Sequence, residues 1–266
     1  MGRVLVEMQV GIPYTFCIIL RHSGRERENM ILERKHMFNS AFDIESVAMP
    51  MGGLDDLFGS PQQIVDALNG IIYMQQLYGA AMREISTKLE ILDDEFHVKY
   101  AHNPVHHIES RLKHPRSIFA KLSKRGLPLS IESAMENLTD IAGIRVICNY
   151  IDDVYAVAKL FSKQDDITLL RKTDYIAQPK PNGYRSLHAV VSVPVFLSGG
   201  KEHVPVEIQM RTIAMDFWAS LEHDLHYKAP MEIDGQLKEQ LLKCAEGIAE
   251  IDGAMQEVHR KIHQAE

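Results

Sequence analysis

The chain has 266 residues, 45% of them hydrophobic, and a formal net charge of -7 at pH 7. That length and composition carry one large domain or two small ones with a sizeable core, and they exclude an intrinsically disordered chain. The acidic balance argues against a general nucleic-acid or anionic-membrane binder.

Cys17, Cys148 and Cys244 are widely spaced and odd in number, which predicts reduced thiols in a cytoplasmic protein. The apolar run Tyr14–Leu20 is too short to span a bilayer and lacks a small-residue cleavage site after it, so neither a membrane protein nor a signal peptide is expected. Residues 1–59 show no clear period. The segment Arg21–Lys35 is densely charged, and Met30, Met37, Met49 and Met51 are each an alternative start. This stretch is expected to be an extension with little structure or a mis-called start, and residues 60–266 to form a single domain.

Ser60-Pro61 reads as the N-cap and first residue of a long helix. Ile64, Leu68, Ile71, Ile72, Tyr78, Met82, Ile85, Leu89 and Leu92 follow, mostly three and four apart, and the helix is expected to end near His97–Tyr100, before Asn103-Pro104. Gly79-Ala80-Ala81 offers a place for close approach. Between Ser110 and Ile131 lie six Lys or Arg (Arg111, Lys113, Arg116, Lys121, Lys124, Arg125) and no acid. A solvated basic helix and a polyanion clamp are both open, and the compactness of the cluster suits a nucleoside triphosphate better than a duplex.

Asp140 opens a strand in which Ile144, Val146 and Cys148 alternate with Arg145, Ile147 and Asn149. An acid at the mouth of a strand and an Arg just inside it make a metal-and-phosphate corner. Asp152-Asp153 is read as the cap of a short helix through Phe161, and Ile167–Leu170 as a strand. In the loop Lys180–His188, Pro181-Asn182-Gly183 marks a turn that delivers Tyr184, Arg185 and His188. A packed Tyr in a hairpin lead-in and a base-stacking, phosphate-holding loop both remain open. Ala189–Phe196 and the segment from Val204 to Met210 read as antiparallel neighbours joined through Ser198-Gly199-Gly200. On the second strand Glu207, Gln209 and Arg211 share the polar face. An amphipathic helix with Ile213, Phe217, Trp218, Leu221 and Leu225 follows. Leu237, Leu241, Cys244, Ile248, Ile251, Met255, Val258 and Ile262 then form a heptad seam, which fits packing on the domain's own core or a subunit interface. His97, His102, His106, His107 and His114 have no zinc-protease spacing.

The motifs Asp140-Ile-Ala-Gly-Ile-Arg145, Gly183-Tyr-Arg-Ser-Leu-His188, Val206-Glu-Ile-Gln-Met-Arg-Thr212 and Glu222-His-Asp-Leu-His-Tyr-Lys228 occur in this order behind the basic segment. Together they resemble the synthetase domain of the RelA/SpoT family, in the form of a stand-alone small alarmone synthetase of the RelQ type. The resemblance implies an α+β fold, a mixed β-sheet flanked by helices and related to nucleotidyltransferases. It implies transfer of the β,γ-diphosphate of ATP to the ribose 3′-hydroxyl of GDP or GTP, in a homotetramer. Asp140 is then the main Mg²⁺ ligand, and Glu207 a second ligand or the base for the 3′-hydroxyl. Arg111 and Arg145 hold ATP, and Lys113, Lys121 and Lys124 or Arg125 neutralise its phosphates. Tyr184 stacks on guanine, and Lys180, Arg185, His188 and Gln209 surround the acceptor. His107, Glu109 and Asp216 stand where RelQ-type enzymes place an aromatic, a threonine and an asparagine against activating pppGpp. Two acids there repel a polyphosphate, so weak or absent activation is expected. A tRNA 3′-end pyrophosphokinase, a ppApp synthetase and a non-catalytic nucleotide- or RNA-binding module are the alternatives, with RNA as a further candidate partner.

Overall fold

In the computed structural model of the chain, residues 5–10, 14–19, 61–99, 102–228 and 235–263 are described. The charged segment Arg21–Lys35, the Ser60 cap and the side chains of Tyr227 and Lys228 lie outside the described residues. The chain divides into two units, residues 1–42 and 43–266. In the first, β1 (Leu5–Val10) pairs antiparallel with β2 (Tyr14–Ile19). A short alternation (Val6, Met8, Val10 and Tyr14, Phe16, Ile18) underlies this pair, in a stretch where no clear period was expected.

In the second unit, α1 (Pro61–Lys99) precedes β3 (Val105–Leu112), α2 (Pro115–Lys124), α3 (Ile131–Asn137) and β4 (Ala142–Cys148). α4 (Ile151–Phe161), β5 (Thr168–Asp174), β6 (Leu187–Leu197) and β7 (Gly200–Thr212) follow, then α5 (Ile213–Lys228) and α6 (Gly235–His263). The sheet has the order β3-β4-β7-β6-β5, and only the central β4–β7 pair is parallel. This is the expected mixed sheet with flanking helices. α1 buries Met74, Leu77, Tyr78, Ala81, Ile85 and Leu89 in one core with Ile144, Val146, Ile208, Met210 and Val191 of the sheet. Their three- and four-residue spacing places them on one helix face, and each fully buried Leu, Ile or Met side chain contributes about 1.5–3 kcal/mol. With one sheet face committed to α1, the polar residues alternating with these strand positions fall on the other face.

Several local expectations are corrected. The basic segment is not one helix, because β3 runs through Leu112 and α2 starts only at Pro115. Tyr150, not Asp152-Asp153, is the N-cap of α4, and the Asp153 carboxylate accepts the Tyr150 N–H at 3.1 Å. β5 begins at Thr168 and runs on to Asp174. Close helix approach occurs also at Gly70, where an added Cβ would lie 3.2 Å from Ile131, while in the patch Gly79-Ala80-Ala81 it is Ala81, fully buried, that packs in the core. The heptad seam of α6 packs on the domain only in part: Ile248 lies against the Trp218 and Ala245 cluster, and Leu241 is half-buried. Leu237, Ile251, Met255, Val258 and Ile262 are exposed, and the buried positions are Ala245, Asp252 and Gln256, one residue out of phase.

Candidate active site

Strand register assembles the site on the face of the sheet opposite α1. Arg111, Gly143 and Glu207 stand in one cross-strand row, and Glu109, Arg145, Gln209 and His188 in the next. His188 and Glu207, whose relative faces the sequence leaves open, therefore share this face. Gly143 puts no side chain between Arg111 and Glu207, so the row has an open floor.

Asp140 sits at the mouth of β4. Lys113, at the end of β3, and Lys121, on α2, both donate to its Oδ2 at 2.5 Å. Burial pushes the Asp140 carboxyl up, but the hydrogen bonds and charges of the two lysines outweigh it and hold the group below its ordinary value. Oδ1 is buried without a hydrogen-bond partner. A buried acceptor left unsatisfied costs about 1–3 kcal/mol, so this oxygen is poised for a ligand that the protein does not supply.

Beside this corner five side chains close a ring. The Tyr184 hydroxyl and His188 Nε2 are 2.8 Å apart, and His188 Nδ1 is 3.5 Å from Glu207 Oε1. Gln209 Nε2 donates to Glu207 Oε2 at 3.0 Å. Arg211 Nη2 donates to Gln209 Oε1 at 2.5 Å and to the Tyr184 hydroxyl at 2.8 Å. Burial pushes Glu207 up and the Asp140 charge adds to that, yet its bonds to His188 and Gln209 and the charge of His188 bring it below the usual carboxylate value. Glu207 is thus ionised at neutral pH, with both oxygens engaged.

The Lys180 ammonium lies 4.5 Å from the Tyr184 ring centroid and 4.6 Å from that of Tyr175. The turn between them closes through Gly183 N–H to Lys180 O at 2.8 Å, with Gly183 at φ +88. Arg145 reaches Glu109 at 3.0 Å and Asp216 at 3.5 Å.

The structure thus brings together Asp140, Lys113 and Lys121, and separately Tyr184, His188, Glu207 and Gln209 with Lys180. Arg111 and Lys124 are exposed on β3 and at the end of α2. Two residues turn elsewhere. Arg125 donates to the Asn137 carbonyl at 3.2 Å, and Arg185 to the Ala245 carbonyl at 3.3 Å. Both sit where a helix end or helix backbone offers a carbonyl close by, and a guanidinium takes it. Arg211 and Tyr175 were not among the expected site residues. Arg211 shares the alternation of Glu207 and Gln209, a usable signal, whereas Tyr175 enters only through the register pairing Asp174 with Leu187.

Among the described residues no group of three or more His, Cys, Asp or Glu is placed to hold a metal, and no helix is long and apolar enough to cross a membrane. A hard cation such as Mg²⁺ does not need such a group, since it is held by one or two carboxylates together with substrate phosphates and water. The free Oδ1 of Asp140 fits that requirement.

Residues 110–232 match the profile of the region found in RelA / SpoT proteins. The GTP pyrophosphokinase YwaC of Bacillus subtilis is 40% identical over 186 residues, covering 70% of this chain and 89% of its own. The GTP pyrophosphokinase YjbM of the same organism is 35% identical over 189 residues, covering 71% of this chain and 88% of its own. The crystal structure of the small alarmone synthetase 1 of Bacillus subtilis bound to its product pppGpp superposes with a TM-score of 0.65 at 35% identity, covering 70% of this chain and 94% of that one. Likeness of that degree along most of both chains means that this chain belongs to the RelA/SpoT family.

Proposed function

We propose that the protein is a GTP pyrophosphokinase that moves the β,γ-diphosphate of ATP to the ribose 3′-hydroxyl of GDP or GTP, giving ppGpp or pppGpp. In this transfer the 3′-oxygen bonds to the β-phosphorus, the bond from that phosphorus to the α,β-bridging oxygen breaks, and AMP leaves. Such chemistry asks the protein mainly for positioning and for charge around the moving phosphates. The observation that carries the reading is one carboxylate oxygen, Asp140 Oδ1, buried and unpartnered while two lysines hold Oδ2 of the same group, on the same sheet end as the Glu207 ring.

Asp140 would hold Mg²⁺ through that oxygen. When bound, the ion neutralises phosphate charge. Lys113 and Lys121 are drawn from Asp140 toward the phosphates of ATP, with Arg111 and Lys124 flanking. Glu207 would act as a second Mg²⁺ ligand or as the base for the 3′-hydroxyl, and its carboxyl is ionised at neutral pH, as either role requires. Tyr184 offers its ring to the purine once the Lys180 ammonium leaves it, and that ammonium then has an acceptor phosphate to meet. Assembly into a homotetramer through the exposed seam of α6, in the cytoplasm, belongs to the same reading.

The test is transfer of label from γ-labelled ATP, with Mg²⁺, to GDP, GTP, adenine nucleotides or deacylated tRNA in separate reactions, with Asp140→Ala alongside. Label on GDP or GTP that vanishes in the variant is expected. Label on tRNA or adenine nucleotides alone would move the protein to another acceptor, and no transfer at all would leave a binding module.

A further inference from the structure

The helix α6 lies beyond the residues that match the family profile, which end at 232, yet its polar and small face meets the loop that carries Lys180 and Tyr184. A Cβ built on Gly183 would lie 2.4 Å from the Ala245 Cβ and 3.2 Å from Leu242. Loop and helix therefore touch with no room for a side chain between them. Tyr184 packs against Trp218, Ala219 and Ala245, and Arg185 donates to the Ala245 carbonyl. Asp252, 6% exposed, accepts from the Thr212 hydroxyl at 2.7 Å, and that hydroxyl in turn accepts the Met215 N–H at 3.1 Å. Thr212 ends the strand that bears Glu207, Gln209 and Arg211. Farther along, Gln256 accepts the Asp152 N–H at 2.8 Å and Arg260 forks onto Asp152 at 2.7 and 2.8 Å.

Polar pins of this kind set the axial register of a helix in a way that an apolar face alone does not. The buried positions of α6 are Ala245, Asp252 and Gln256, flanked by the half-buried Leu242 and Ile248, while Leu237, Ile251, Met255, Val258 and Ile262 are exposed. Burial pushes the Asp252 carboxyl above its ordinary value, and the Thr212 hydrogen bond and the Arg185 charge, which favour the carboxylate, offset only part of that.

We infer that α6 is the back wall of the acceptor-nucleotide site, with Ala245 and Asp252 as positioning residues that hold the Lys180–His188 loop in place for the guanine nucleotide. This rests on that loop taking the acceptor. Ala245 sets how far the loop stands from the helix, and Asp252 sets the helix height against the end of β7. Neither residue reaches the Asp140 corner, so the acceptor side depends on them and the ATP side does not.

The experiment compares KM for GDP with KM for ATP in Ala245→Val, Asp252→Ala, Asp252→Asn and Tyr184→Ala, with thermal unfolding of each. Ala245→Val is expected to raise KM for GDP at least tenfold and leave KM for ATP within twofold. Asp252→Ala is expected to do the same, and Asp252→Asn, which still accepts from Thr212, to recover most of the loss. Unchanged GDP values in the α6 variants, with Tyr184→Ala impaired for GDP, would overturn the inference and leave the acceptor loop intact as a reading. Equal rises in both KM values would overturn it in favour of a general packing role. An unaffected KM for GDP in Tyr184→Ala would remove the acceptor-loop reading itself, and the inference with it.

Discussion

Arg145 and Glu109 stand opposite each other on β4 and β3, and their side chains close to 3.0 Å. Asp216 brings a second carboxylate within 3.5 Å of the same guanidinium, so an Arg proposed to hold ATP is shared between two acids of the protein. ATP must compete with them. Exposed pairs of this kind are worth roughly 0.2–1 kcal/mol, a factor of at most about five in binding. Glu109→Gln is expected to lower KM for ATP by up to that factor with kcat little changed. Steady-state rates at saturating GDP read this directly, and a rise in KM would show that Glu109 helps ATP instead.

The same acids bear on control by product. His107, Glu109 and Asp216 converge here, with His107 3.5 Å from Glu109, at positions where the resemblance expects an aromatic, a threonine and an asparagine to receive pppGpp. Glu109 and Asp216 carry like charge to a polyphosphate and already occupy Arg145, the cation at this place that would otherwise meet it. A titration of rate against added pppGpp should be flat. Stimulation of several-fold would contradict this assignment of the acids.

Much of this site was legible in the sequence because strands are read two residues at a time. The alternation of Val206, Ile208 and Met210 with Glu207, Gln209 and Arg211 predicted both the buried face and the polar row, and the register bears it out. The alternation says nothing about which rows lie side by side. That His188 stands across from Gln209 and Glu109 across from Arg145 follows from pairing, which depends on loop lengths and on the central parallel crossover. α6 misled for a related reason. Its apolar heptad is a true period, but most of that face, Leu237 and the positions from Ile251 on, is left exposed by the domain. Asp252 and Gln256 are buried through specific partners, and a hydrophobic pattern does not register such contacts.

The acid limb of activity should follow the Lys113–Asp140–Lys121 corner. Burial raises the Asp140 carboxyl and the two lysines lower it further than burial raises it. Such a carboxylate stays ionised until the pH falls through a value below the ordinary one, and any stability that it contributes is likewise present above the unfolded value and lost on that descent. Lys121→Met removes one hydrogen bond and one charge while the burial remains. The acid limb of kcat/KM, which reports the free enzyme, is expected to move to higher pH in this variant, apart from any fall in its height. A limb that stayed in place or moved to lower pH would mean that Asp140 does not govern it.

The outer face of α6 carries the last prediction. Leu237, Ile251, Met255, Val258 and Ile262 are 50%, 64%, 52%, 50% and 59% exposed, and on one helix they make a long apolar stripe. The adjacent face is held to its own domain by Ala245, Asp252 and Gln256, so the helix cannot turn to bury the stripe without breaking those contacts. A heptad-spaced stripe is complementary to another of its kind, which makes a second copy of this chain the natural occupant. Light scattering on the eluting protein should give a mass above one chain, a tetramer by the family expectation. Ile251→Asp with Val258→Asp should lower that mass and leave the helical circular dichroism of the chain in place, because neither side chain contributes to the core. A parent protein that elutes as one chain would remove the stripe's proposed role. An assembled parent whose mass the double variant does not change would put the subunit contact on another surface.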